Sequence, residues 1–72
     1  MPRLPRAREV ARAIQKLGFH FARQKGSHAI YRHADGRRIT VPVHGGQEIG
    51  PATFRQILKD AGMSATQFWN VK

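Results

Sequence analysis

The apolar residues of this chain change their spacing twice, and that change constrains the architecture more than any other feature. In residues 6–17 they fall at Val10, Ala13, Ile14 and Leu17, the i, i+3, i+4, i+7 stripe of an amphipathic helix. In residues 19–43 the period shortens to two: Phe19 and Phe21 share one side of a strand, as do Ile39, Val41 and Val43. After Pro51 the helical spacing returns at Phe54, Ile57, Leu58 and Ala61. A helix hides a stripe and a strand hides a side, so two stripes and one sheet face are what each other requires.

The punctuation between these segments agrees. Gly18 and Gly62 each follow the last apolar residue of a helical stripe, where a C-terminal glycine belongs. Lys25-Gly26-Ser27 reads as a tight turn and Ala34-Asp35-Gly36 as a hairpin loop. Strands are expected over 19–24, 28–33 and 37–43, with Arg38, Thr40, Pro42 and His44 on the side of the third strand opposite its apolar residues. Pro42 cannot donate to a ladder and marks an edge strand or a strand end. Residues 44–50 form a loop, and Pro51 opens a helix at the position where proline is favoured. Ser64 caps a final short turn whose Phe68 and Trp69 cover an edge of the core. The expected fold is α+β, in the order α-β-β-β-α: a three-stranded antiparallel sheet with two helices on one face, in one domain over 1–72. Val10, Ile14, Leu17, Ile39, Val41, Phe54, Ile57 and Leu58 are expected in one core. The other sheet face, with its arginines, histidines and turn residues, is left for a ligand.

Charge narrows the kind of ligand. The 72 residues carry 13 lysines and arginines against 4 acids, a net charge of +9. Such a field attracts nucleic acid or an acidic protein. No cysteine is present, which suits a reducing compartment and leaves no disulfide or thiolate metal site. No apolar run approaches the length of a membrane span, and the first residues lack the apolar core of a signal peptide. A cytoplasmic protein without membrane association is expected.

The residue best placed for chemistry is His28. It directly follows the Lys25-Gly26-Ser27 turn and opens a strand, so a sheet rather than a loop would hold it. Imidazole is the side chain whose ordinary pKa lies nearest neutrality, which suits proton transfer. Arg23, Lys25, Arg32, Arg37 and Arg38 flank the hairpins and suit phosphate binding. Tyr31 is a candidate for stacking on a base, and His44, at the end of the third strand, is a candidate helper. His20 and His33 read as solvated. From spacing alone, an exposed strand-start histidine with a structural hydrogen bond explains His28 better than catalysis does. The histidine spacing matches no zinc pattern, and Gly45-Gly46 is followed by no Gly-Lys-Ser/Thr. Neither metal nor cofactor is expected.

Several of these stretches together resemble the HicA-type toxins, messenger-RNA interferases of bacterial toxin–antitoxin pairs. They are Leu17-Gly18-Phe19, Arg23-Gln24-Lys25-Gly26-Ser27-His28, Asp35-Gly36-Arg37, Thr40-Val41-Pro42-Val43-His44, Ile49-Gly50-Pro51 and Ile57-Leu58-Lys59-Asp60-Ala61-Gly62. The resemblance implies a fold like a double-stranded-RNA-binding domain. It implies metal-independent cleavage of mRNA, with the catalytic histidine at His28 and its shaping turn at Gly26 and Ser27. It also implies neutralisation by a HicB-type antitoxin, expected to be acidic, and a toxin monomeric when free. Where many relatives have Gly-Thr-Leu, this chain has Gly50-Pro51-Ala52-Thr53-Phe54. The competing reading is a non-catalytic RNA-binding module that uses the same basic face.

Overall fold

The computed structural model describes residues 3–43 and 45–71. Its elements are α1 (Ala7–Lys16), β1 (His20–Lys25), β2 (His28–Arg32), β3 (Arg38–Pro42), α2 (Pro51–Ala61) and α3 (Ala65–Val71). The expected order holds, and the final short turn is a seven-residue helix. Ser64 explains its start: the Ser64 hydroxyl accepts the Gln67 N–H, and the Gln67 side chain accepts the Ser64 N–H, a reciprocal cap.

Both longer helices stop in the same way. At the end of α1, Phe19 N–H reaches Ile14 O and Gly18 N–H reaches Gln15 O; at the end of α2, Met63 N–H reaches Leu58 O and Gly62 N–H reaches Lys59 O. This double closure needs a left-handed residue, and Gly18 and Gly62 supply it at φ +99° and +72°. Gly18 is further constrained because a Cβ there would lie 2.9 Å from His33 Nε2.

The sheet is antiparallel with strand order β1-β2-β3, so β3, which carries Pro42, is an edge. The helices cover one of its faces. One cluster gathers Val10, Ala13 and Ile14 of α1, Ala29 and Tyr31 of β2, Ile39 and Val41 of β3, Phe54 and Ile57 of α2, and Phe68 of α3. Leu17 and Leu58, expected inside, pack at its margin. The chain ahead of α1 is docked too: Ile49 N–H reaches Pro5 O at 2.8 Å, and Arg3 grips the Glu9 carboxylate with two bonds of 2.7 Å. Among the described residues, no helix is long and apolar enough to cross a membrane.

Two expectations about single residues are corrected. His33 is not solvated. Its Nε2 donates to Leu17 O at 3.0 Å, its Nδ1 accepts the Asp35 N–H at 3.1 Å, and its ring meets Phe19 edge-on with centroids 5.0 Å apart. It bolts the end of α1 to the β2–β3 hairpin. Arg37 is not a free cation of the hairpin either, although its side chain is 40% exposed. Its guanidinium binds Asp35 Oδ2 at 2.8 Å and Ala61 O at 2.9 Å, and lies 5.0 Å above the Phe19 ring. The Arg37 backbone N–H, and then its guanidinium, hold the Asp35 carboxyl below its ordinary pKa.

Candidate functional site

Residues directly opposite each other in an antiparallel pair share a sheet face. Ala29 and Tyr31 pair with Val41 and Ile39 on the helix side, so His28, Ile30 and Arg32 look the other way, opposite Pro42, Thr40 and Arg38. On β1 the partners of this second set are Lys25, Arg23 and His20. The open face is therefore three rows: Lys25-His28-Pro42, Arg23-Ile30-Thr40 and His20-Arg32-Arg38. With strands ~4.8 Å apart and rows ~6.7 Å apart, it measures about 10 by 13 Å.

A bulge makes this arrangement. Strict alternation would put Phe21, Arg23 and Lys25 on one side. Instead the register shifts between Phe21 and Arg23, Ala22 is left without a partner, and Arg23 and Lys25 swing to the open face while Phe21 stays on the helix side. An extra residue in one strand re-aims the side chains beyond it.

The turn that precedes His28 is fixed from several directions. Gly26 takes φ +61° while Ser27 stays at negative φ, the pattern of a two-residue hairpin turn with glycine at its first central position. Val43 N–H donates to Ser27 O at 2.7 Å, and the Gln24 side chain donates to Gly26 O at 3.1 Å. Thus Gly26 and Ser27 hold His28 at the strand start, exposed, between Lys25 and Pro42.

The electrostatics of this face are one-sided. Arg32 and Arg38 are direct cross-strand partners, an arrangement of like charges that destabilises a sheet unless something neutralises it. The carboxylates are elsewhere: Glu9 binds Arg3, Asp35 binds Arg37, Asp60 accepts from Gln56, and Glu48 lies in the loop that bridges to Arg6. Ile30 is buried although it lies on the open face, between Arg23 and Thr40.

Of the expected site residues, Arg23, Lys25, Arg32 and Arg38 thus join His28 on one face. Tyr31 does not. It lies on the helix side, 8% exposed, with its ring edge-on to Phe21 at 5.7 Å, and burial raises its phenol above its ordinary pKa. The pairing of Tyr31 with Ile39 explains why it cannot stack on a ligand. His44 lies outside the described residues. Thr40 and His20 were not named as site residues, yet alternation places both here, Thr40 with Arg38 on β3 and His20 on the side of β1 opposite Phe21; Arg23 and Lys25 reach this face only through the bulge. Among the described residues, no three histidine or carboxylate groups converge as a metal site would require. A mostly apolar cavity of about 470 Å³ between Leu4, Phe54 and Trp69 has no residue of the open sheet face in its lining.

Fold and site together define a small basic α+β domain that presents an exposed histidine on a cationic sheet face. Residues 7–63 match the family model of the HicA toxins of bacterial toxin–antitoxin systems, and the chain belongs to that family. No curated protein matches it.

Proposed function

We propose that this toxin is an endoribonuclease that cuts single-stranded mRNA at the open sheet face, with His28 as the proton-transfer residue. The observation that carries the reading is the gathering of Arg23, Lys25, Arg32 and Arg38 around an exposed His28 on a face without carboxylates. In the reaction the RNA supplies its own nucleophile. The 2′-hydroxyl loses a proton and its oxygen bonds to the adjacent phosphorus. The bond to the 5′ oxygen breaks, and that oxygen takes up a proton. The products are a 2′,3′-cyclic phosphate and a free 5′-hydroxyl. His28 serves one of these two proton transfers, and Lys25 and Arg23 stabilise the charge that builds on the phosphorane oxygens. A HicB-type antitoxin, acidic to match this face, neutralises the toxin by occupying it.

The folded protein, given RNA and DNA of one sequence with a chelator present, is expected to cut the RNA and leave the DNA intact, because DNA lacks the attacking hydroxyl. Binding without cleavage would favour a non-catalytic RNA-binding module, and activity abolished by the chelator would replace His28 with a metal.

Affinity for RNA is expected to fall steeply with salt, as phosphate neutralisation requires. Lys25→Gln and Arg38→Gln should each lower the slope of log affinity against log salt by roughly one phosphate contact, measured by fluorescence anisotropy. Arg37→Gln, whose guanidinium is already engaged, should leave that slope unchanged; an equal loss in all three variants would refute this division of the arginines.

A further inference from the structure

The helix side of β1 is not fully covered. Phe21, 53% exposed, and Val43, 38% exposed, are the large apolar residues that the described structure leaves outside. Both line one trough. Its floor is Tyr31, Ala29 and Val41, its far wall is Ala7 and Ala11 of α1, and its volume is about 300 Å³. A second hollow of about 150 Å³ shares Ala7, Arg8 and Val43 with the first and extends it past Arg6 to Gly45 and Gly46. The trough thus runs from the edge strand to the β3–α2 loop, apolar along its floor and cationic along one wall. Beside it, β1 ends the sheet: among the described residues no strand pairs with its outer edge. An outer edge offers unpaired backbone donors and acceptors to an incoming strand.

These three features ask for different things of one occupant. The free edge asks for extended backbone, the floor for apolar side chains on one face of it, and Arg6 and Arg8 for carboxylates. A second copy of this chain answers poorly, since each copy carries +9 and like-charged patches repel. RNA answers poorly as well, because a free strand edge pairs with extended peptide backbone and the floor of Tyr31, Ala29 and Val41 is apolar.

We infer that this trough is a docking site for an acidic, strand-forming segment of the antitoxin partner. The segment adds to the outer edge of β1 and seats an apolar side chain between Phe21, Val43 and α1. The inference rests on the toxin–antitoxin pairing that membership of the family implies, and is independent of the chemistry assigned to His28. It places an anchor on the opposite side of the sheet from that residue, so that binding and blockade occupy different surfaces. Side chains of alternate residues in an added strand supply the specificity, while its backbone supplies much of the affinity.

The probe is a capped nine-residue peptide alternating glutamate with valine around a central phenylalanine, titrated into the full chain and followed by amide chemical shifts. Shifts are expected at residues 21–25 and in the first turn of α1, with affinity that drops at least tenfold in Phe21→Asp. Ala11→Gln, which puts a polar side chain on the far wall of the trough and keeps the net charge, serves as the second variant and should lose affinity likewise if Phe21→Asp fails to fold. RNA hydrolysis and RNA affinity should be unchanged in either. Shifts confined to Lys25, His28, Arg32 and Arg38, full affinity in both variants, or no binding at millimolar peptide would overturn the inference, as would RNA oligonucleotides that shift the trough residues in the peptide's place. Loss of RNA cleavage in the wild-type protein would count against the nuclease reading alone, because the peptide titration does not depend on it.

Discussion

His28→Ala is expected to lower RNA hydrolysis by about 10²-fold or more while fold and most RNA affinity remain. The reason lies in where the ring sits. His28 is exposed, at the head of β2, and its backbone is held by pairing with both Lys25 and Pro42. Removing its side chain leaves the sheet register, the hairpin turn and the four cations of the open face in place. Phosphate binding should therefore survive, and the step that needs a proton moved should not. Expression of the variant should also no longer inhibit growth. The measurement is cleavage of a labelled RNA by folded wild type and variant, with folding checked by circular dichroism and affinity by anisotropy. Equal rates in the two proteins would remove His28 from the mechanism. A fall in cleavage that merely tracks a fall in affinity would make it a binding residue.

The largest effect on stability is expected from Phe19→Ala, about 3–5 kcal/mol. Phe19 is wholly buried, and three pieces of the molecule meet on its ring. It is the residue whose N–H closes α1, the His33 ring meets it edge-on, and the Arg37 guanidinium covers it. Truncation opens a cavity and removes the surface against which the hairpin clasp is built. A domain of this size has a total stability of roughly 4–11 kcal/mol, so the variant should be close to unfolded at physiological temperature. Urea unfolding gives the number directly. A loss below about 1 kcal/mol would mean that His33 and Arg37 hold the hairpin without the ring, and Phe19→Leu, which keeps most of the buried surface, should recover the greater part of any loss.

Much of this molecule can be read from the order of its residues, for a definite reason. Apolar period and left-handed glycines are local signals, and α1, α2, β3 and both helix ends are set by them. The open face of β3 follows in the same way, since Arg38, Thr40 and Pro42 alternate strictly with Ile39 and Val41. What escaped depends on partners distant in the chain. His33 is defined by the carbonyl of Leu17, a group every residue has, so nothing in its neighbourhood distinguishes it from a solvated histidine. Arg37 and Arg38 are adjacent and chemically alike, yet one is bound by Asp35 and Ala61 while the other faces outward; only the point at which β3 begins separates them. Tyr31 was legible in principle, because it is in phase with Ala29. The assignment of His28 to RNA chemistry came from resemblance to a family, since spacing alone favoured a structural histidine.

The bulge on β1 has a consequence for how this strand tolerates change. With Lys25 paired to His28, strict alternation back along β1 through Gln24 and Arg23 reaches the helix-side pairing of Phe21 only if Ala22 is passed over. The strand therefore carries one spare residue. Deleting Ala22 closes the gap and leaves Phe21, Gln24 and both cations on their present sides, at the loss only of the extra twist that a bulge imparts. Deleting Gln24 instead would turn Arg23 inward and put Ala22 in its place. Length and display are uncoupled at one position and locked together at its neighbours, so the strand has slack at the single point where shortening it would cost the open face nothing.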